Sequence, residues 1–454
     1  MRETTPPARR PAAEGADQGP SAAPGAAARA RAIAALLSVE SGEQGSQTAL
    51  QTVLDQPWPL QGADRSLCTE LVYGVLRRQR SLDRWLGASC KHGLVSMPAS
   101  SLAALRVGAY QLTELDRVPA FAAVDATLQA LKGMVGARSP AIGFANAVLR
   151  SLAARAERGD RPDSDDLPEW MVQSIGEFAE DAGVEPKELQ SAFRAAAPTH
   201  LQLLGDGQRG REDLAQAGVE TVELPVPGAL MVRGGAALAA AGLGHSYLAQ
   251  DGGSTAVAAY VAARPGLKVL DLCAGRGVKS AALAAAGAQV TAVDLSADKL
   301  RQAEELCRQV GAPLDQAIAA DASAELPLDP ASFDVVLVDA PCTGLGTLRR
   351  RPEIRHRRRA ADLWGMAALQ AAIADQAAKM VKPGGVIILA TCSVARLEGP
   401  LWVQGVLQRH PELRLEPGDL PWTQAFLSRD GMLRSHPLIA GMDGFFAARL
   451  VRQA

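Results

Sequence analysis

The sequence predicts a multidomain chain: an all-α domain over residues 29–165, a small α+β connector over 166–244 and an α/β domain over 245–454, preceded by a disordered tail over 1–28. Three observations predict this. A length of 454 residues, 48% of them hydrophobic, suits two or three domains that each bury a core. Apolar residues recur at helical spacing through the first third of the chain. After His245 the texture changes to short apolar runs alternating with Ala-rich helices, the pattern of βα units.

Element by element, the tail has no large apolar residue after Met1, and Pro6, Pro7, Pro11, Pro20 and Pro24 recur in it. It buries too little surface to offset the entropy of ordering. Leu67, Leu71, Val72, Val75 and Leu76 make one helical stripe behind a cap at Asp64, and Leu102, Leu105, Ala109, Leu112 and Leu115 make another. Pro119 ends the second run, and a further helix carrying Val124 and Leu128 starts near Ala122. The connector reads as a helix over 186–197, a strand over 201–204 and a short helix over 211–217. The runs at 269–272, 290–293, 335–338 and 386–389, each bounded by Asp, Gly or Pro, read as strands of a parallel sheet with helices on both faces.

Charged residues are 21% of the chain and the net charge is −2, so any basic surface must be local. The six cysteines are unclustered and form no CxxC pair, which argues against a zinc ribbon or a disulfide scaffold. There is no signal-peptide core near the start and no run of about 18 apolar residues. A soluble, cytoplasmic, metal-free monomer is expected.

The segment from Lys268 through Asp271, Cys273, Ala274, Gly275, Arg276, Gly277, Val278 and Lys279 to Ser280 is a strand, a glycine-bearing turn and a helix start. That is the nucleotide-binding corner of a Rossmann-like sheet, where Gly275 and Gly277 would let the backbone approach a ligand. Asp294 ends the next strand, about 20 residues on, where a carboxylate can hold ribose hydroxyls. A P-loop would need glycine where Cys273 and Val278 stand, and a dinucleotide fingerprint would need a third glycine where Ser280 stands. S-adenosylmethionine needs no pyrophosphate cradle and makes use of further strand-end acids, here Asp271, Asp321 and Asp339. A lone strand-end Asp is ordinarily a turn or cap residue; four at successive strand ends point to a ligand.

Two cysteines follow strands of the same sheet: Cys342 in Asp339-Ala-Pro-Cys-Thr-Gly, and Cys392 in Ala390-Thr-Cys-Ser393. Residues just past the carboxyl ends of parallel strands line the ligand crevice, so both thiols can face one site, although an isolated cysteine is as readily a buried apolar residue. A thiol beside a methyl donor suits methylation of an unactivated pyrimidine carbon: a thiolate adds to carbon 6 of cytosine and makes carbon 5 nucleophilic. Arg349, Arg350, Arg351, Arg355, Arg357, Arg358 and Arg359 place seven positive charges within eleven residues after the first cysteine. Charge runs are commonly solvated faces; this one, attached to the cysteine segment, reads as a phosphate-binding lip for RNA. The target base would be single-stranded or flipped out. A zinc cytosine deaminase would need HxE and PCxxC, and Thr343, Gly344 and Leu345 follow Cys342.

The DAPC, TCS and CAxxGxK-type segments, with Gln250-Asp251, Ser254 and the terminal Asp443-Gly-Phe-Phe446, resemble the RsmB/Sun family of 16S ribosomal RNA cytosine-C5 methyltransferases. The helical part resembles a NusB-like RNA-binding domain through Glu70-Leu-Val-Tyr-Gly74, Arg117-Val-Pro-Ala120 and Asn146-Ala-Val-Leu-Arg150. The likeness spans about residues 30–450. It implies a class I, Rossmann-like methyltransferase domain using S-adenosylmethionine on ribosomal RNA. By the same resemblance Cys392 is the nucleophile, Cys342 assists proton removal and product release, and Cys273 to Lys279 contact the methionine and ribose portions of the cofactor. Asp294 would hold the ribose, Asp321 the adenine edge, and Asp339 the methyl-transfer region together with the cytosine.

Two departures set further expectations. Arg276 and Val278 stand where the family has Pro and Gly, placing a cation and a β-branched side chain where backbone should approach cofactor. Glu398-Gly-Pro400 replaces an acidic-Asn-Glu run, which should weaken the support around Cys392. A non-catalytic RNA-binding assembly factor with a decayed cofactor loop is the alternative these departures suggest.

Overall fold

The structure is a computed structural model that describes residues 25–90, 93–163, 166–234, 238 and 245–453. The expected tail therefore lies outside the described residues up to residue 24. The chain divides into two compact units, Met1–Asp165 and Asp166–Ala454. Among the described residues no helix is long and apolar enough to cross a membrane.

The first unit holds six helices: α1 (Ala26–Glu40), α2 (Ser46–Leu54), α3 (Gly62–Gly87), α4 (Ala99–Glu114), α5 (Ala120–Val135) and α6 (Pro140–Glu157). Helix α1 starts inside the segment read as tail, because Ala26 and Ala28 are buried and alanine costs least to place in a helix. Asp64 lies in the first turn of α3, where its charge suits the helix dipole, while Gln61 takes the cap position. The core joins Leu71, Val75 and Leu76 to Leu105, Leu131 and Leu149. A Cβ at Gly74 would lie 2.1 Å from the Tyr110 ring, so a glycine there permits α3 and α4 to pack closely.

The second unit opens with α7 (Glu169–Ala182), α8 (Pro186–Arg194), β1 (His200–Leu203), α9 (Gln208–Gln216), β2 (Glu220–Glu223), β3 (Ala229–Arg233) and β4 (Tyr247–Ala249). The four strands pair antiparallel in the order β2-β3-β1-β4. The rest comprises α10 (Gly252–Tyr260), β5 (Lys268–Asp271), α11 (Val278–Ala285), β6 (Gln289–Asp294), α12 (Ala297–Gln309), β7 (Gln316–Ala319) and β8 (Phe333–Asp339). It continues through α13 (Ile354–Arg357), α14 (Asp362–Met380), β9 (Val381–Thr391), α15 (Pro400–Arg409), β10 (Leu413–Leu415), β11 (Leu433–Ser435) and β12 (Phe445–Arg452).

Strands β9-β8-β5-β6-β7 pair in parallel as the βα alternation predicts. The sheet as a whole is mixed, since β12 runs antiparallel between β9 and β10 and also pairs β11. Its first half, Phe445 to Ala448, is buried throughout and carries no alternation to read. The connector is not a separate body. Met171, Ile175, Phe178, Leu189 and Phe193 share one apolar cluster with Leu345, Leu348, Ile354 and Val394.

A buried ionic network ties these parts together. Asp251 caps α10 by accepting from Gly253 N at 2.8 Å, and also accepts from Asp443 N at 3.0 Å, His200 Nδ1 at 3.1 Å and Arg350 at 2.8 Å. Arg350 reaches Asp443 at 2.9 Å and the Pro198 carbonyl at 2.8 Å as well. Burial opposes ionisation of Asp251, but His200 and Arg350 outweigh it and hold the carboxyl down at about 2. Burial, reinforced by the Asp251 charge, pushes Asp443 up to about 7.

An aspartyl carboxyl titrates near 3.9 in an unfolded chain. The proton on folded Asp443 therefore favours the native state fully below about pH 4, and that contribution disappears as pH rises through about 7. The Asp251 contribution is constant over that window, being lost only as pH falls from about 4 toward 2. Thermal unfolding followed by circular dichroism should show stability declining from pH 4 to 8, and Asp443→Asn should make that decline shallower.

Candidate active site

Strand order reverses around β5: the chain runs outward through β6 and β7, then crosses to β8 on the other side. Ligands in such sheets bind at the carboxyl ends of the strands flanking the switch. Asp271 ends β5, Asp294 ends β6 and Asp339 ends β8. Backbone bonds from Leu272 N to Leu337 O (2.9 Å) and from Ala340 N to Ala390 O (2.9 Å) carry the pairing past the strand ends, so the emerging loops start side by side.

Cys342 and Cys392 meet there, with Sγ atoms 3.3 Å apart. The contact with Cys392, then burial, pushes the Cys342 thiol well above its ordinary range, so Cys342 is held as a thiol. Lys279, from the first turn of α11, donates to Asp339 Oδ2 at 2.5 Å and lies 5.6 Å from the centre of the Phe445 ring. Burial works against the ammonium charge, but Asp339 outweighs it, with smaller contributions from Asp271 and Cys392, and raises the Lys279 pKa. The site thus holds a fixed cation, a carboxylate and two sulfurs within one half-buried cluster.

Glu398 holds the two cysteine loops together. Its fully buried carboxylate accepts from Thr343 N at 2.8 Å, Thr343 Oγ1, Ser393 Oγ at 2.5 Å and Gln370 Nε2 at 3.3 Å. Thr343 follows Cys342 and Ser393 follows Cys392, while Gln370 also donates to the Pro341 carbonyl at 2.8 Å. Support around Cys392 is therefore present where the sequence suggested loss: the Glu398-Gly-Pro400 segment keeps the bridging acid, and Pro400 starts α15 at a position where its missing N–H costs nothing. Gly346 closes the ring by donating to the Cys392 carbonyl at 2.9 Å. A Cβ there would fall 1.7 Å from Gly444 O, so this backbone crossing admits only glycine.

The two glycines of the cofactor loop do different work. Gly275, at φ +59°, has open space where a Cβ would project, and its N–H donates to Asp294 Oδ2 at 2.9 Å. Gly277, at φ +77°, packs so tightly against Ala303 of α12 that a Cβ would fall 2.5 Å from the Ala303 Cβ, so its close approach is to a helix and not to a ligand. Neither departure in the loop fills the crevice: Arg276 is exposed to solvent, and Val278 packs against the buried cluster of Leu248, Ala281 and Cys307. Cys273 is kept protonated by burial, and burial raises Asp271 to about 6, leaving its Oδ1 without a partner. Ala274 N donates to Val293 O, fixing the turn against β6. Asp321 sits two residues past β7, exposed, with Ser323 N and Oγ bonded to it. A crevice with an open glycine, Asp294 at the end of β6 and an unsatisfied buried Asp271 oxygen fits a nucleoside-bearing cofactor.

The arginine run divides. Arg349 and Arg355 are only 5% and 2% exposed, too buried for an RNA lip. Arg349 donates to the Ala195, Ala196 and Gly441 carbonyls, and Arg355 to Phe193 O. Arg350 belongs to the Asp251 and Asp443 network. The reason is that α8 stops at Arg194, short of the expected Ala197, leaving carbonyls for these guanidinium groups. Arg351, Arg357 and Arg359 are exposed and Arg358 is half-exposed. His356 in the same run is half-buried.

Removing the Glu398 carboxylate would take the acceptor from four donors, at about 1–3 kcal/mol for each one left unsatisfied. Glu398→Ala should cost about 2–5 kcal/mol by denaturant unfolding, with Glu398→Gln intermediate, and an unchanged midpoint would mean that the bridge does not hold the loops.

Comparison with known proteins agrees with this architecture. A family model described as 16S rRNA methyltransferase RsmB/F matches residues 258–451, and the NusB family model matches residues 26–154. A putative methyltransferase of Mycobacterium tuberculosis is 35% identical, over 86% of this chain and 89% of its own. The ribosomal RNA small subunit methyltransferase B of Thermus thermophilus is 33% identical, over 92% of this chain and 96% of its own. The crystal structure of PH0851 superimposes with a TM-score of 0.73 at 21% identity, over 94% of this chain and 99% of its own, a likeness of fold. With the two thiols, Lys279 and Asp339 gathered at the sheet's switch point and full-length relatives above 30% identity, the chain belongs to the RsmB/F family of 16S rRNA methyltransferases.

Proposed function

We propose that the chain methylates carbon 5 of a single-stranded or flipped-out cytosine in 16S ribosomal RNA, through a covalent Cys392 adduct at carbon 6. The observation that carries this reading is the 3.3 Å pair of thiols beside the Lys279–Asp339 ion pair. Bound S-adenosylmethionine supplies an electrophilic methyl group, which a resting cytosine carbon 5 cannot accept. Asp271 and Asp294, with the open backbone at Gly275, would hold the cofactor, and Asp321 would meet the adenine edge.

The residues divide the work as follows. Addition of Cys392 sulfur to carbon 6 pushes electrons onto carbon 5. Asp339, paired with Lys279 at 2.5 Å, would orient that ammonium group and meet the reacting base. Cys342 begins as the thiol because of its contact with Cys392. When Cys392 becomes bonded to carbon, the charge that kept Cys342 protonated is spent. Cys342 can then lose its proton to solvent, and its thiolate takes the carbon 5 proton as Cys392 leaves. The exposed arginines, Arg351, Arg357, Arg358 and Arg359, would hold RNA phosphates beside this site.

Calorimetry should show S-adenosylmethionine binding to the folded protein; its absence would favour the assembly-factor reading. Cys392→Ala should abolish methyl transfer to 16S rRNA. Cys342→Ala should accumulate a covalent RNA adduct visible as a shifted band under denaturing electrophoresis, and an adduct formed by the Cys392 variant instead would reverse the two roles.

A further inference from the structure

Trp364, on the first turn of α14, is 69% exposed although it carries the largest apolar side chain of that helix. Its neighbours Leu363 and Leu369 are partly buried in apolar clusters, so the helix has spent its apolar contacts elsewhere and gains nothing from Trp364 by packing. The backbone turn between α13 and α14 runs through Arg358 and Arg359. There Asp362 N bonds to Arg359 O and Trp364 N to Ala361 O, so Trp364 follows the exposed Arg357 and Arg359 within one compact backbone turn. Asp362 lies 3.9 Å from Arg358 and accepts from Arg359 N. The same helix supplies Gln370, which holds the Pro341 carbonyl of the Cys342 loop. Six residues of helix amount to about 9 Å along its axis, which is how far along α14 Trp364 lies from the residue that braces the Cys342 loop.

We propose that Trp364 is a base-stacking platform for the single-stranded RNA flanking the target nucleotide, flanked by phosphate contacts from Arg357, Arg358 and Arg359. A flat aromatic face set among cations is the pairing by which proteins hold single strands without reading their sequence, the ring taking the base and the cations the backbone. The proposal rests on the RNA-substrate reading above. It adds a binding residue outside the cofactor crevice, on an element that also braces a catalytic loop.

Binding of a short oligocytidylate, measured across a salt series, tests it on the full chain. Trp364→Ala should weaken binding about 5-fold or more with the salt slope unchanged, because an uncharged contact is lost. Removing Arg357, Arg358 and Arg359 together should instead flatten the slope, by about 0.7 per lost phosphate contact. Trp364→Phe should restore most of the affinity, whereas Trp364→Leu, apolar but not flat, should not. In methylation assays on 16S rRNA the alanine variant should raise KM and keep kcat. Wild-type affinity in Trp364→Ala, or equal rescue by Phe and Leu, overturns the platform. A wild-type protein that binds the oligocytidylate through Trp364 but methylates no cytosine would sink the enzymatic reading and leave the platform standing.

Discussion

Loops that leave adjacent parallel strands tend to diverge, because the twist of the sheet turns their directions apart. The two sulfurs can remain 3.3 Å apart only if something spans the gap, and the Glu398 carboxylate does so by collecting donors from both loops and from α14. A buried carboxylate is costly unless its lone pairs are satisfied; here Thr343, Ser393 and Gln370 satisfy them, and each is itself fixed by a strand end or a helix. The rest of the site is arranged around this tie. Thr391 Oγ1 donates to the Glu398 carbonyl at 2.9 Å, so even the end of β9 is fastened to the same residue.

Charge in the crevice is managed by pairing and by withholding protons unequally. Lys279 and Asp339 neutralise one another at 2.5 Å, Asp271 is pushed toward its neutral form by burial, and Cys342 is kept as a thiol by its neighbour. The arginines behind the site serve the fold as much as any ligand. Arg349, Arg350 and Arg355 dock the carbonyls after α8 and the acids around α10, so the small antiparallel sheet and the main sheet are joined by guanidinium groups as well as by apolar packing.

Much of this was legible in the residues. The runs at 335–338 and 386–389 are β-rich and bounded by Asp, Gly or Pro, and they form strands that deliver Cys342 and Cys392 to one edge. The strand Gln316–Ala319 carries too little apolar character to show itself, being an edge strand with half its residues exposed. β12 escaped because a strand buried on both faces has no polar alternation, and its antiparallel direction depends on a partner, β9, more than fifty residues earlier. Arginine is the instructive failure. Seven in eleven residues look like a surface, since nothing local reveals that a helix ending at Arg194 has left carbonyls for three of them. Glu398 was visible only as part of an altered motif, because the donors that give it meaning come from Thr343, Gln370 and Ser393.

The order in which the chain is made adds a consequence to the position of β12. Its neighbour β9 carries Cys392 at its end, and Gly444, immediately before β12, donates to Gly346 O at 2.8 Å, while Asp443 anchors Arg350. During synthesis both thiols, the cofactor loop and the arginines are in place in the chain before any of these contacts exist. A growing chain can complete its helical unit early, as domains made first commonly do, but it presents an incomplete crevice until the residues around 443–452 arrive. A crevice that depends on these contacts is incomplete on any chain that has not yet reached them.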